Sequence, residues 1–138
     1  MKIDRSAIVA TDASFCPKSR ASGYAFLIQR PGRKPYRRSG ELDIKPTTNQ
    51  QAEQWAIEQG ILAAQQMGLR DLTVFSDCKS VINTLKKNPR RGIRYYHIRA
   101  HTNKINLPAS MNRWCDNEAR RVMRGVRKQL SLNVQSGR

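Results

Sequence analysis

Ala7-Ile8-Val9-Ala10-Thr11-Asp12 is an apolar run that ends on an acid, and Leu72-Thr73-Val74-Phe75-Ser76-Asp77 repeats the arrangement further along the chain. Short runs rich in β-branched and apolar residues predict buried strands, and each of these strands delivers a carboxylate at its carboxyl end. In open α/β sheets, ligand-binding groups collect just beyond the carboxyl ends of parallel strands, so two such strands would bring Asp12 and Asp77 to one edge. Glu53 and Asp116 each fall about a turn into a segment with helical spacing. Acids are scarce here, 10 Asp+Glu against 26 Lys+Arg, so their placement is informative. If the four meet, the all-oxygen donor set suits Mg²⁺ or Mn²⁺.

Working outward, residues 6–13 and 22–30 read as strands, and Pro31-Gly32-Arg33-Lys34-Pro35 is turn chemistry that returns 36–44 as an antiparallel partner. A helix over 47–68 follows, with Thr47 or Thr48 as its cap, an apolar stripe of Ala52, Trp55, Ala56, Ile61, Leu62 and Met67, and a stop at Gly68. Then come a strand at 71–76, a helix at about 78–87, a break at Pro89-Arg90-Arg91-Gly92, a strand at 93–100 and a helix over 111–130. Three strands followed by alternating helices and strands predict an α/β fold, a mixed sheet covered by helices, because parallel neighbours need long crossovers. The expected organisation is one domain over 1–130 and a frayed tail over 131–138.

The formal charge of +16 and pI near 10.8 point to a polyanion, nucleic acid ahead of an acidic membrane surface. Cys16, Cys78 and Cys115 form no CxxC pair, which argues against a disulfide framework or zinc site and for a reducing, cytoplasmic setting. No apolar stretch is long enough to span a bilayer and the start lacks an export pattern, so no membrane partner is expected.

Four strings, in order, carry a resemblance. Thr11-Asp12-Ala13-Ser14 with Ser22-Gly23-Tyr24-Ala25, Thr47-Thr48-Asn49-Gln50-Gln51-Ala52-Glu53, Phe75-Ser76-Asp77, and Ala100-His101-Thr102-Asn103 with the segment Asn112 to Arg121 resemble the motifs of type I ribonuclease H over residues 7 to 122. The resemblance implies a five-stranded mixed sheet in the order 3-2-1-4-5 flanked by about three helices. It also implies hydrolysis of the RNA strand of RNA–DNA hybrids by two Mg²⁺ ions, with Mn²⁺ as a substitute, leaving 5′-phosphate and 3′-hydroxyl ends. Asp12, Glu53, Asp77 and Asp116 would be the metal ligands, Asp12 bridging, with His101 as a further catalytic residue. Only one helix and one strand fit between Asp77 and His101, so the chain is similar to a minimal form that lacks the family's extra helices and basic protrusion. Ala13 stands where many members have Gly, and Gln50 where many have a second Asn.

The competing reading of Asp12, Glu53 and Asp77 is as turn or capping residues. For binding, the same motifs put forward Ser14, Asn49, Gln50 and Asn112. The basic clusters Arg30 to Arg38, Lys86 to Arg94 and Arg120 to Lys128 are candidate phosphate contacts, with Arg33, Lys34, Arg37, Arg90 and Arg91 singled out. A monomer with no obligate protein partner is expected from the strong like charge. Two alternatives share the fold: a non-catalytic module binding hybrid or double-stranded RNA, and a junction resolvase or transposase-like nuclease.

Overall fold

The computed structural model describes residues 3–99 and 107–136. Its order is β1 (Ser6–Phe15), β2 (Ser22–Gln29), β3 (Tyr36–Gly40), α1 (Asn49–Gln66), β4 (Asp71–Ser76), α2 (Lys79–Lys87), β5 (Ile93–His97) and α3 (Leu107–Ser136). The five strands form one sheet in the order β3-β2-β1-β4-β5, as expected. β1 pairs antiparallel with β2 and parallel with β4, and the β4–β5 pair is also parallel.

β1 lies at the centre of the sheet, and its residues alternate between two apolar layers. Val9 joins Phe26, Ile28, Leu72 and Val74 beneath Ile57 and Ile61 of α1 and Ile82 of α2. Ala10 joins Ala25 and Leu27 against Met111, Cys115 and Ala119 of α3. The first layer is thick and branched. The second has small residues, Ala10, Ala25, Cys115 and Ala119, among its larger ones, and α3 lies close to β1 and β2 there. Gly23 marks the closest approach: a Cβ there would run into the Ala119 carbonyl oxygen and come within 2.7 Å of the Met123 nitrogen.

α1 begins where Thr48 Oγ1 accepts the Gln51 N–H at 3.2 Å, while Gln51 Oε1 accepts the Thr47 N–H at 2.8 Å. This reciprocal cap fixes the first turn. The helix ends before Gly68, whose φ of +83° is left-handed backbone.

Several boundaries differ from expectation. β1 runs to Phe15 because its ladder with β2 continues through Ser14↔Gly23 and Phe15↔Ser22. β3 stops at Gly40, short of residue 44, because Leu42 turns away to pack with Ala13, Ala52 and Ala56. β5 stops at His97, after which Ile98 N–H still donates to Ser76 O at 2.9 Å. α3 begins at Leu107 and runs through Ser136, so the stretch from Ser131, expected as a frayed tail, continues the helix that far. Among the described residues, no helix is long and apolar enough to cross a membrane.

Candidate metal centre

Asp12 follows Ile8 and Ala10 at period two, so it faces α3 from the centre of the sheet. It is only 4% exposed. Its Oδ1 accepts the N–H of Ala13 at 2.9 Å. β1 and β4 are in parallel register with Ala10 beside Phe75, so two residues on, Asp77 comes level with Asp12. Asp77 leaves the sheet on a turn in which Ser76 Oγ accepts the Cys78 N–H at 3.2 Å and α2 begins. Asp116 arrives from α3, held in place by the neighbouring Cys115, whose buried thiol donates to Ala10 O at 3.3 Å. Asp12, Asp77 and Asp116 each present an oxygen within 4.8 Å of the others.

Glu53 stands beside this trio and not within it. It is 3% exposed, its Oε1 accepts the same Ala13 N–H as Asp12, and it is hydrogen-bonded to Asp12. Burial pushes the Asp12 carboxyl far above the ordinary carboxylate range, and the charges of Glu53, Asp77 and Asp116 push it further. Burial likewise raises Glu53, with Asp77 adding to it. Burial and mutual repulsion both favour the protonated form of this pair where no cation offsets the charge. The Cys115 thiol is raised by the same burial and then by Asp12 and Asp77.

Asp116 has a cation of its own. Arg120, one helical turn on, forks onto both oxygens, with Nε donating to Oδ1 at 3.2 Å and Nη2 to Oδ2. Beside it, Glu118 accepts from Arg121 at 2.6 Å and from Ser39 Oγ at 2.7 Å, which holds its carboxyl down at about 2. Sequence reading placed Arg120 among phosphate contacts only. The i, i+4 spacing from Asp116 was the available signal.

The donor set fits a hard dication. All the ligand atoms are carboxylate oxygens, they converge from three separate elements, and their burial and mutual repulsion are relieved by positive charge. A turn or capping role does not account for this convergence.

The other candidates divide by position. Ser14 is half-buried at the end of β1, and Asn49 and Gln50 are exposed in the first turn of α1, the turn before Glu53. Asn112 is buried one turn before Asp116, and among the described residues its Oδ1 has no hydrogen-bond partner. Arg37 pairs with Leu27 of the α3-facing layer and lies 5.4 Å over the Trp114 ring. Arg33 and Lys34 sit in the β2–β3 turn, at the end of the sheet opposite the acids, where Arg33 shares a cleft with Asp4, Arg5 and Arg70. Arg90 is paired with both oxygens of Glu58 at 2.9 Å, and Arg91 adjoins Gly92, whose carbonyl accepts the Leu72 N–H near the start of β4 at that same far end. His101 lies outside the described residues. Cys78, expected to be a buried filler, is half-exposed.

A sequence profile for a family described as "Reverse transcriptase-like" matches residues 10–122. No curated protein matches the chain significantly. Among solved structures, the chain is similar to RNase H1 from the halophilic archaeon Halobacterium salinarum, with a TM-score of 0.66 at 14% identity, covering 87% of this chain and 98% of that one. The N-terminal RNase H domain of a Mycobacterium tuberculosis protein gives 0.67 at 16% identity, covering 86% and 98%. LC11-RNase H1, isolated from compost and solved in complex with an RNA/DNA hybrid, gives 0.66 at 14% identity, covering 86% and 97%.

Proposed function

The chain belongs to the reverse transcriptase-like family and has the ribonuclease H fold, and from that premise we propose that it is a metal-dependent endonuclease cutting the RNA strand of RNA–DNA hybrids. The observation that carries the reading is the meeting of Asp12, Asp77 and Asp116 within 4.8 Å, beside buried Glu53, in a molecule of net charge +16. A protein that only bound nucleic acid would gain nothing from burying like negative charge where a phosphate must approach. The similar LC11 enzyme was solved with an RNA/DNA hybrid, which supports the same substrate class here.

Asp12, Asp77 and Asp116, with Glu53 beside them, are the residues that would hold two Mg²⁺ or Mn²⁺ ions. Such a pair supplies charge neutralisation on the phosphodiester and a water of lowered pKa. The chain's own residues do the rest. Asn49 and Gln50 are exposed at the start of α1, where amide side chains can meet base edges and a ribose 2′-hydroxyl, the group that distinguishes RNA from DNA. Arg37, over the Trp114 ring, offers a guanidinium to the phosphate backbone beside the acids. Ser14 and Asn112 are assigned to the same substrate contact, and His101 to proton transfer or product release. The products are 5′-phosphate and 3′-hydroxyl ends, and the protein acts as a cytoplasmic monomer.

The test is cleavage of matched end-labelled RNA–DNA hybrid, double-stranded RNA, double-stranded DNA and a four-way DNA junction with Mg²⁺, Mn²⁺ or EDTA, beside Asp77→Asn. The expected result is metal-dependent cutting of the hybrid's RNA strand alone, lost in the variant. Hybrid binding without cutting would replace the enzyme with a binding module, and cutting of the junction alone would overturn the substrate.

A further inference from the structure

α3 is 30 residues long, and its last buried side chain among the described residues is Met123. Past Asp116 the helix runs by Gly23 at the start of β2 and then by Cys16 beyond the end of β1, where Arg127 reaches the thiol. The remainder therefore projects from the edge of the sheet that carries the acids. Arg120, Arg124 and Lys128 follow Asp116 at successive four-residue steps, and Arg127 falls between them on the same face. Arg120 is tied to Asp116 and Arg121 to Glu118, whereas among the described residues no ion pair engages Arg124, Arg127 or Lys128. Like charges four apart weaken a helix, and what this stretch sets against them is modest: half-buried Val122 and Val126 in a cleft shared with Glu41, and the reach of Arg127 to Cys16.

We propose that the carboxyl-terminal half of α3 is the arm that grips the substrate, with Arg124, Arg127 and Lys128 following the phosphate backbone of the duplex away from the acid cluster. The proposal rests on the hybrid-nuclease reading above and names the element that binds. From Asp116 to Lys128 the helix rises about 18 Å, which matches roughly five base pairs at about 3.4 Å each. The competing basic clusters are worse placed. Arg90 is paired with Glu58 and Arg94 with Asp71, and the β2–β3 turn lies at the opposite end of the sheet. A membrane surface is the poorer partner, because of the exposed apolar side chains at this end of the helix only Leu130 and Val134 share a face, while Leu132 lies on the opposite side.

The experiment compares Arg124→Ala/Arg127→Ala/Lys128→Ala with Arg33→Ala/Lys34→Ala/Arg91→Ala, both in the Asp77→Asn background so that hybrid is bound and not consumed. Fluorescence anisotropy on a hybrid of about 20 base pairs, over about 50 to 300 mM salt, gives affinity and salt slope. Alanine is the best helix former and removes like charge, so far-ultraviolet circular dichroism should show α3 retained. The expected result is a roughly 10- to 100-fold loss of affinity at low salt and a salt slope shallower by about 2 to 3 in the α3 variant, with the opposite-end variant close to its parent. Hybrid binding with an unchanged slope in the α3 variant, or an equal loss in both, would overturn the proposal while leaving the nuclease reading standing. A parent that binds no hybrid would remove both.

Discussion

Asp12→Asn should stabilise the metal-free protein. Asp12 is buried, bonded to an equally buried Glu53, and faces Asp77 and Asp116. Its raised carboxyl stays protonated in the folded state at neutral pH, while the unfolded chain releases that proton near its ordinary value. The folded state therefore binds more protons than the unfolded one above that value, and stability falls as pH rises. From about 3.9 to pH 7 the linked cost approaches about 4 kcal/mol at about 1.36 kcal/mol per unit. Asparagine needs no proton, and its oxygen can keep the bond from Ala13 N–H. Allowing for relaxation, the gain should be about 2–4 kcal/mol, or roughly 6–15 °C in Tm for a domain of this size. Thermal unfolding in EDTA from about pH 5 to about 8 is the assay. Wild-type Tm should fall across that range and the variant's should fall much less. Mg²⁺ or Mn²⁺ should raise the wild-type Tm and leave the variant's nearly unchanged. A variant that is less stable than wild type in EDTA, or that keeps the full pH slope, would refute the reasoning.

Three further outcomes are expected. Gly23→Ala should cost about 2–3 kcal/mol in urea unfolding, because its Cβ meets backbone of α3 on both sides; it should also weaken Mn²⁺ binding by moving Asp116, and a cost under about 0.5 kcal/mol would contradict the close approach. Glu118, held at about 2 chiefly by Arg121 and then by Ser39, contributes stability that is present above its unfolded value and is lost as pH falls from about 4.5 toward 2; Glu118→Gln should flatten acid unfolding in that window and leave the neutral range alone. Arg120→Met frees both oxygens of Asp116, so Mn²⁺ titration by calorimetry should show affinity tighter by roughly three- to fivefold, the scale of a half-exposed ion pair; weaker binding would mean that Arg120 orients Asp116 and does not compete for it.

The apolar runs ending in Asp12 and Asp77 determined two parallel strand ends from sequence alone, because period and composition are local properties that survive without tertiary context. The turn at 31–35, the Thr48 cap and the Gly68 stop were legible for the same reason, and the ordered motifs supplied the sheet order and all four acids. The structure alone decided what depended on partners distant in sequence. β3 ended early because Leu42 found Ala13, Ala52 and Ala56, and β1 ran long because β2 kept pairing with it. Three acids met while Glu53 turned to Asp12, since burial and mutual charge, which set that arrangement, exist only once β1, α1, β4 and α3 are packed. Charge spacing likewise showed three basic clusters of equal promise. That Arg90 and Arg94 are committed to Glu58 and Asp71, while the third cluster lies on α3 past Asp116, came from the packing of the elements and the direction of α3 across the sheet, which no local pattern encodes.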